Sequence, residues 1–282
     1  MRITQLGEQI GAEIVDVDVR GLDEDGFARI YATWLRFNVI CVRDQDLTIE
    51  EFLEYGRRFG PLLHHPSKMT RHAEHPELTV MGVNKFDDDG NLIRAVYARG
   101  GETWHTDGAY EAVSFKATQL YASAIPSRGG DTLFASMYAA YDALPARLKE
   151  KLDGRLGAFT YGGRTGSSNA LLNPEDQHEP PAMHPILRTH PETGRKGLYF
   201  DPGKILYVEG LGEAESEDVI EELTNYMVQP GAEYRHKWRK GDVVIWDNRC
   251  SYHIAAADYP PEEDRIHWRV SIDDDPASHR TA

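Results

Sequence analysis

Cysteine is scarce in this 282-residue chain, which has only Cys41 and Cys250. Two widely separated thiols make neither a disulfide framework nor a structural zinc site. Basic residues are also short, 31 Lys and Arg against 46 Asp and Glu, for a formal net charge of −15. Such a chain lacks the positive field that a phosphate backbone requires, so no nucleic-acid partner is expected. The same acidity means that an anionic substrate needs a local basic pocket. Long apolar runs are missing too. Nothing approaches the roughly 20 residues of a membrane span, and the first nine residues lack the charged and apolar regions of a signal peptide. A soluble, cytoplasmic protein with no membrane partner is expected.

What remains is ordinary and globular. Hydrophobic residues make up 40% and charged residues 27% of the chain, enough apolar surface for a sizeable core. No repeat or low-complexity tract divides it. Residues 10–19 alternate as a strand does. Asp23 or Asp25 can then cap a helix whose Phe27, Ile30, Tyr31, Trp34 and Leu35 share one face. Val39 to Val42 reads as a buried strand with Cys41 as a small core residue. Thr48 and Glu51 have the form of a capping box for a helix carrying Phe52, Tyr55 and Phe59 up to Gly60.

Residues 78–86 and 91–97 read as strands joined at Asp89-Gly90. The preceding aspartates lack the alternation of a calcium loop, so a hairpin turn is expected. Further strands are expected at 115–123, 186–189, 197–200, 233–238, 243–246 and 265–272. Helices are expected from Ser136 to Leu144, from Pro145 to near Gly154, and over 213–228. Residues 161–185 are rich in Gly, Ser, Asn and Pro, and read as one long loop, a candidate lid. Many short strands with a few helices predict a mainly β fold with flanking helices, a sandwich or jelly roll.

Three stretches carry chemistry. In Trp104-His105-Thr106-Asp107-Gly108 an imidazole and a carboxylate stand two residues apart, on one face of an extended backbone. Alone this is compatible with a surface turn. Far downstream His253 follows the apolar strand that ends at Trp246. Two histidines and a carboxylate form the facial triad that suits non-haem Fe(II) and leaves coordination positions open. In the last strand Ile266, Trp268, Val270 and Ile272 alternate with Arg265, His267, Arg269 and Ser271. If helices cover the apolar face, the arginines point inward, where unpaired charge is expensive and a carboxylate is the natural partner. His72 and His75 have no evident third ligand and read as surface residues. Cys250 reads as a buried, neutral thiol.

On these residues the chain resembles the taurine/2-oxoglutarate dioxygenase family, which includes alkylsulfatases and aryloxyalkanoate dioxygenases. The resemblance runs through Gly11-Ala12-Glu13-Ile14, Arg58-Phe59-Gly60-Pro61, Trp104 to Asp107, Gly129-Gly130-Asp131-Thr132, His190-Pro191, Gly194-Arg195-Lys196, Trp246-Asp247-Asn248-Arg249, His253, Arg265 and Arg269. It implies a double-stranded β-helix (jelly roll) spanning residues 1–282 as one domain. It also implies Fe(II), with 2-oxoglutarate and O2 as co-substrates, and a dimer or tetramer.

His105, Asp107 and His253 match the family's iron ligands. Thr132 and Arg265 match the residues that bind the distal carboxylate of 2-oxoglutarate, and Arg269 matches a position that meets substrate or co-substrate. His65 matches a substrate-side histidine. Lys68 and Gly101 stand where the taurine enzyme has a tyrosine and an asparagine, so a substrate other than taurine is expected, with Lys68 available to an anion.

The resemblance implies hydroxylation of a small anionic substrate with release of succinate and CO2. A sulfonate, sulfate ester or aryloxyalkanoate would be cleaved after hydroxylation. The competing readings are a hydroxylase or desaturase of a biosynthetic intermediate with the same cofactors, and a non-catalytic jelly roll that binds 2-oxoglutarate or metal.

Overall fold

The computed structural model describes residues 1–64, 72, 74–82, 85–86, 92–93, 103–165, 180–260 and 262–274. The expected turn at Asp89-Gly90 lies outside them. The N-terminal part comprises β1 (Arg2–Gln5), β2 (Ala12–Val15), α1 (Glu24–Phe37), β3 (Val39–Val42), α2 (Ile49–Arg57) and β4 (Leu62–Leu63). Next come β5 (Thr79–Met81), β6 (Lys85–Phe86), β7 (Leu92–Ile93), β8 (Ala117–Ala124), β9 (Thr132–Ser136), α3 (Met137–Ala143) and α4 (Ala146–Leu152). Then follow β10 (Leu156–Phe159), β11 (Ala182–Pro185), β12 (Leu187–Thr189), β13 (Lys196–Leu198), β14 (Ile205–Val208) and α5 (Glu213–Thr224). The chain finishes with β15 (Glu233–His236), β16 (Val243–Asp247), β17 (Ser251–Ala255) and β18 (Ile266–Ile272).

The main sheet runs β1-β2-β3-β16-β8-β18-β4, with β5 also on β18. Its pairings are antiparallel except β2 with β3. A smaller sheet, β15-β9-β17, faces it. This is a double-stranded β-helix (jelly roll) flanked by helices.

Strand alternation decides which face each residue joins. Ile40, Val42, Val243, Ile245, Val270 and Ile272 pack beneath α1 and α2 with Phe27, Trp34 and Phe52. The alternate residues Val39, Cys41, Leu120, Val244 and Trp246 fill the interior between the sheets with Phe134 and Trp238. A third cluster joins α3, α4 and α5 to the outer side of the small sheet through Tyr252.

Local chemistry sets the helix ends. Asp23, rather than Asp25, caps α1 by accepting from the Gly26 N–H at 2.7 Å. The helix stops at Asn38, whose φ of 64° is left-handed. Both bonds of the Thr48–Glu51 capping box are formed.

Several expected elements change. The strand expected over 10–19 is only β2, ended by Asp16 at φ 59°. The one expected over 78–86 is interrupted at Gly82, φ 81°. The loop expected over 161–185 is not continuous: Ala182–Pro185 is β11, paired with β10. Its alternation, with Ala182 and His184 buried, was hidden by flanking prolines. Residues 166–179 lie outside the described residues. Strands β1, β10 and β14, four residues each, were not anticipated. No described helix is long and apolar enough to cross a membrane.

On the outer side of the main sheet a buried ion network follows β16. Arg249 bonds Asp247 through Nε and Nη2 at 2.8 and 2.7 Å, and reaches Asp274 and Glu192 through Nη1. His190 meets the same Asp247 carboxylate at 3.0 Å. Burial would raise the Asp247 carboxyl, but Arg249 and His190 outweigh it and hold the group well below the usual carboxylate range. Replacing Arg249 by leucine removes the one cation shared by the buried carboxylates of Asp247, Glu192 and Asp274. Arg249→Leu is expected to lower unfolding free energy by about 3–5 kcal/mol in urea titrations at neutral pH.

Candidate active site

The stretch from Trp104 to Gly108 is stitched to β17 by an isolated antiparallel bridge. His105 N–H donates to the His253 carbonyl at 3.1 Å, and His253 N–H donates to the His105 carbonyl at 2.9 Å. The bridge brings the two imidazoles together, tilted to one another with centroids 4.0 Å apart. Three residues on, the chain turns at Gly108 with φ 74°, a conformation that favours glycine. A Cβ there would also lie 2.3 Å from the Phe115 ring. The turn aims Asp107 at the imidazoles: one ligand atom from each of His105, Asp107 and His253 lies within 4.8 Å of the others.

The donor set fits a divalent metal. His105 Nδ1 lies 2.7 Å from the Thr103 carbonyl, which can only accept, so Nδ1 is the donor and Nε2 is the nitrogen left to act as a ligand atom. His253 lies between Trp246 and Phe134, with ring centroids 4.7 and 6.2 Å away. Burial first, and then the adjacent His105, push its imidazole well below the ordinary value, so it stays neutral. Its Nδ1 is buried without a hydrogen-bond partner among the described residues. Asp107 is ionised: burial opposes its charge, but Arg269 and the two histidines hold the carboxyl well below the usual range. Two imidazoles and one carboxylate are the non-haem Fe(II) set anticipated above.

Two other groups, Cys41/His236/Asp242 and His190/Asp247/Cys250, are equally compact. Their carboxylates are already paired with Arg43 and Arg249. Burial raises both thiols well above their ordinary value.

The last strand behaves as its alternation implied. Trp268 faces the helix layer against Phe52 and Tyr121, while Arg265, His267 and Arg269 face the interior. Arg265 stands just before β18. Its Nε donates to the Gly130 carbonyl at 2.7 Å and its Nη2 to Thr132 Oγ1 at 3.4 Å. The structure therefore brings Thr132 and Arg265 together. Trp238 Nε1 donates to the same Thr132 oxygen at 3.0 Å.

Gly130 has φ 71°, and a Cβ there would lie 3.0 Å from Arg265 Cδ, which accounts for one glycine of Gly129-Gly130. Asp258 secures that turn by accepting from Gly130 N–H at 2.9 Å. No carboxylate lies within 4.0 Å of Arg265 among the described residues, and burial lowers the guanidinium's pKa. Arg269 is placed differently: its Nη2 lies 3.1 Å from Asp107 Oδ2 in an ion pair.

The expected substrate-side residues His65, Lys68 and Gly101 lie outside the described residues. His72 and His75 lie with ring centroids 5.3 Å apart, and His75 meets Glu50 at 3.4 Å. Sequence reasoning missed Thr118, whose hydroxyl donates to Asp107 Oδ2 at 2.7 Å. It also missed Asp258. Neither residue sits in a motif that marks it.

The Gly108 geometry gives a test independent of activity. Gly108→Ala should destabilise the fold by more than about 1 kcal/mol from the backbone alone, and further through the overlap with Phe115. Urea unfolding reads the loss.

The model of the family described as "Taurine catabolism dioxygenase TauD, TfdA family" matches residues 2–271. The (S)-phenoxypropionate/alpha-ketoglutarate-dioxygenase of Sphingobium herbicidovorans is 33% identical over 98% of this chain and 96% of its own length. The alpha-ketoglutarate-dependent 2,4-dichlorophenoxyacetate dioxygenase of Cupriavidus pinatubonensis is 32% identical over 86% of this chain and 87% of its own. Among solved structures, a taurine dioxygenase from Burkholderia xenovorans superposes with a TM-score of 0.80 at 29% identity, covering 97% of this chain and 89% of that one. With jelly roll, ligand cluster and interior arginines in place, the chain belongs to the TauD/TfdA family of dioxygenases.

Proposed function

We propose that this protein is an Fe(II)- and 2-oxoglutarate-dependent dioxygenase acting on a small anionic organic substrate, with aryloxyalkanoates the first class to test. One observation carries the reading. A two-imidazole and carboxylate cluster shares the jelly-roll interior with a part-buried arginine that has no carboxylate partner within 4.0 Å among the described residues. The similarity to two aryloxyalkanoate dioxygenases supports the substrate class.

His105, Asp107 and His253 would hold the iron, and residues 1–282 would act as one domain. With iron, 2-oxoglutarate and O2 bound, the centre supplies oxidation of a substrate C–H bond coupled to formation of succinate and CO2. The protein's own part is placement. Arg265 offers a guanidinium to the distal carboxylate, and the Thr132 hydroxyl stands beside it. Trp246, Phe134 and Trp238 wall the interior against water. Arg269 has five N–H donors and pairs with Asp107 through Nη2, so it can also meet a second anion. Hydroxylation of the carbon that bears an aryloxy group would give a hemiacetal-type product, whose collapse to a carbonyl breaks the C–O bond and releases the aryloxy group as a phenol.

Purified protein loaded with Fe(II) is expected to release succinate from 2-oxoglutarate when given phenoxypropionate or phenoxyacetate. Sulfonates and sulfate esters serve as comparison classes. If metal and 2-oxoglutarate both bind but no substrate of these classes yields succinate, the reading is wrong. His105→Ala should lose metal affinity while keeping its circular dichroism spectrum; unchanged affinity removes His105 from the centre. Arg265→Gln is expected to raise the KM for 2-oxoglutarate at least tenfold, corresponding to loss of about 1.4 kcal/mol or more from a charge-assisted pair.

A further inference from the structure

Asp107 is met by a buried hydrogen-bond chain whose direction can be deduced. The Trp246 indole Nε1 is a donor only, and it lies 2.8 Å from the Asn248 side chain. The Asn248 atom at that position must therefore be its oxygen. This places the Asn248 amide nitrogen 2.9 Å from Thr118 Oγ1, to which it donates. A threonine hydroxyl has a single proton, and the Thr118 oxygen is already accepting. The proton is left for Asp107 Oδ2, an acceptor at 2.7 Å. Trp246, Asn248 and Thr118 are all essentially removed from solvent, so water does not compete for these bonds.

The backbone around Asn248 ties the same three segments together. Thr106 Oγ1 donates to the Asn248 carbonyl at 2.7 Å, and Asn248 N–H donates to the Lys116 carbonyl at 3.0 Å. The Trp104–Gly108 stretch, the start of β8 and the end of β16 are thereby locked in one register.

We propose that Thr118, polarised by Asn248 and Trp246, is a positioning residue that holds the Asp107 carboxylate in its metal-binding orientation. The inference rests on the reading of His105, Asp107 and His253 as the metal centre. Its physical basis is competition at one oxygen. Asp107 Oδ2 also faces the Arg269 guanidinium, 3.1 Å from Nη2. Without the Thr118 donor, the arginine is the remaining strong attraction on that oxygen, and it draws the carboxylate toward a closed ion pair. Thr118 supplies a second, neutral donor from β8 and fixes the rotation of the group between the two strands.

The test is metal affinity rather than turnover. Co(II) and Fe(II) binding to metal-free protein would be measured anaerobically by calorimetry and by competition with a chelator, for the parent, Thr118→Val and Thr118→Ser. Thr118→Val keeps the branched shape and removes the donor, whereas Thr118→Ser keeps the hydroxyl. Thr118→Val is expected to bind metal about 10- to 100-fold more weakly, as for other partners of metal ligands. Thr118→Ser should stay close to the parent, which a purely packing role for the threonine methyl would not give.

Should Thr118→Val fail to fold, Thr118→Ala removes the same hydroxyl with less bulk and is read the same way. Parent-like affinity without the hydroxyl overturns the proposal, as does an equal loss in Thr118→Ser. If the parent itself binds neither metal, it is the metal-centre reading that fails.

Discussion

An ionised carboxylate inside a β-barrel survives only where donors and positive charge meet it. Asp107 is that group here, and much of the surrounding structure serves it. The His105–His253 backbone bridge ties its loop to the small sheet. Gly108 turns the chain immediately after it. From the opposite sheet Arg269 and Thr118 both reach Oδ2. The carboxylate thus sits between the two layers of the jelly roll and is held from both. Its charge is offset by neighbours that stand in place before any ligand arrives, which is what preorganisation means in a site of low dielectric.

The tetrapeptide Trp246-Asp247-Asn248-Arg249 shows how one strand end can serve two environments. Trp246 and Asn248 turn inward, toward His253 and Thr118. Asp247 and Arg249 turn outward, where they close the ion network with His190, Glu192 and Asp274 beneath the helix layer. The outer network fixes the backbone from which the inner chain of hydrogen bonds starts. Stability and site geometry are therefore coupled at this point, because a shift in Asp247 moves Asn248 with it.

Residues whose chemistry is costly to bury were legible in the sequence. Arg265 and Arg269 alternate with Ile266, Trp268 and Val270, and a charge on an inward face demands an explanation. The histidines and Asp107 were legible for the same reason, once His253 was set beside the His-x-Asp pair. The helix caps at Asp23 and Thr48 were legible because capping is local. Thr118 was not, since a threonine in an apolar strand looks like any β-branched residue. Only the register of β8 against β16 and β18 gives it a carboxylate to meet. Strands such as β10 and β14 were missed because four residues carry too little periodicity, and β11 because its alternation lies among prolines.

The two interior arginines show why a shared strand face does not give equivalent roles. Among the described residues Arg265 is hydrogen-bonded by neutral oxygens, those of Gly130 and Thr132. Asp131 and Asp258 act on it only from a distance, so an incoming carboxylate would supply a direct counter-charge, and burial strengthens that pairing. Arg269 already shares a charge with Asp107, so an anion that approaches it competes with an existing ion pair. The first position therefore favours firm retention of an anion, and the second a weaker and more exchangeable contact. This is the division expected between a co-substrate common to many enzymes and a substrate that differs from one to the next. It arises from which neighbour each guanidinium meets, four positions apart on one strand.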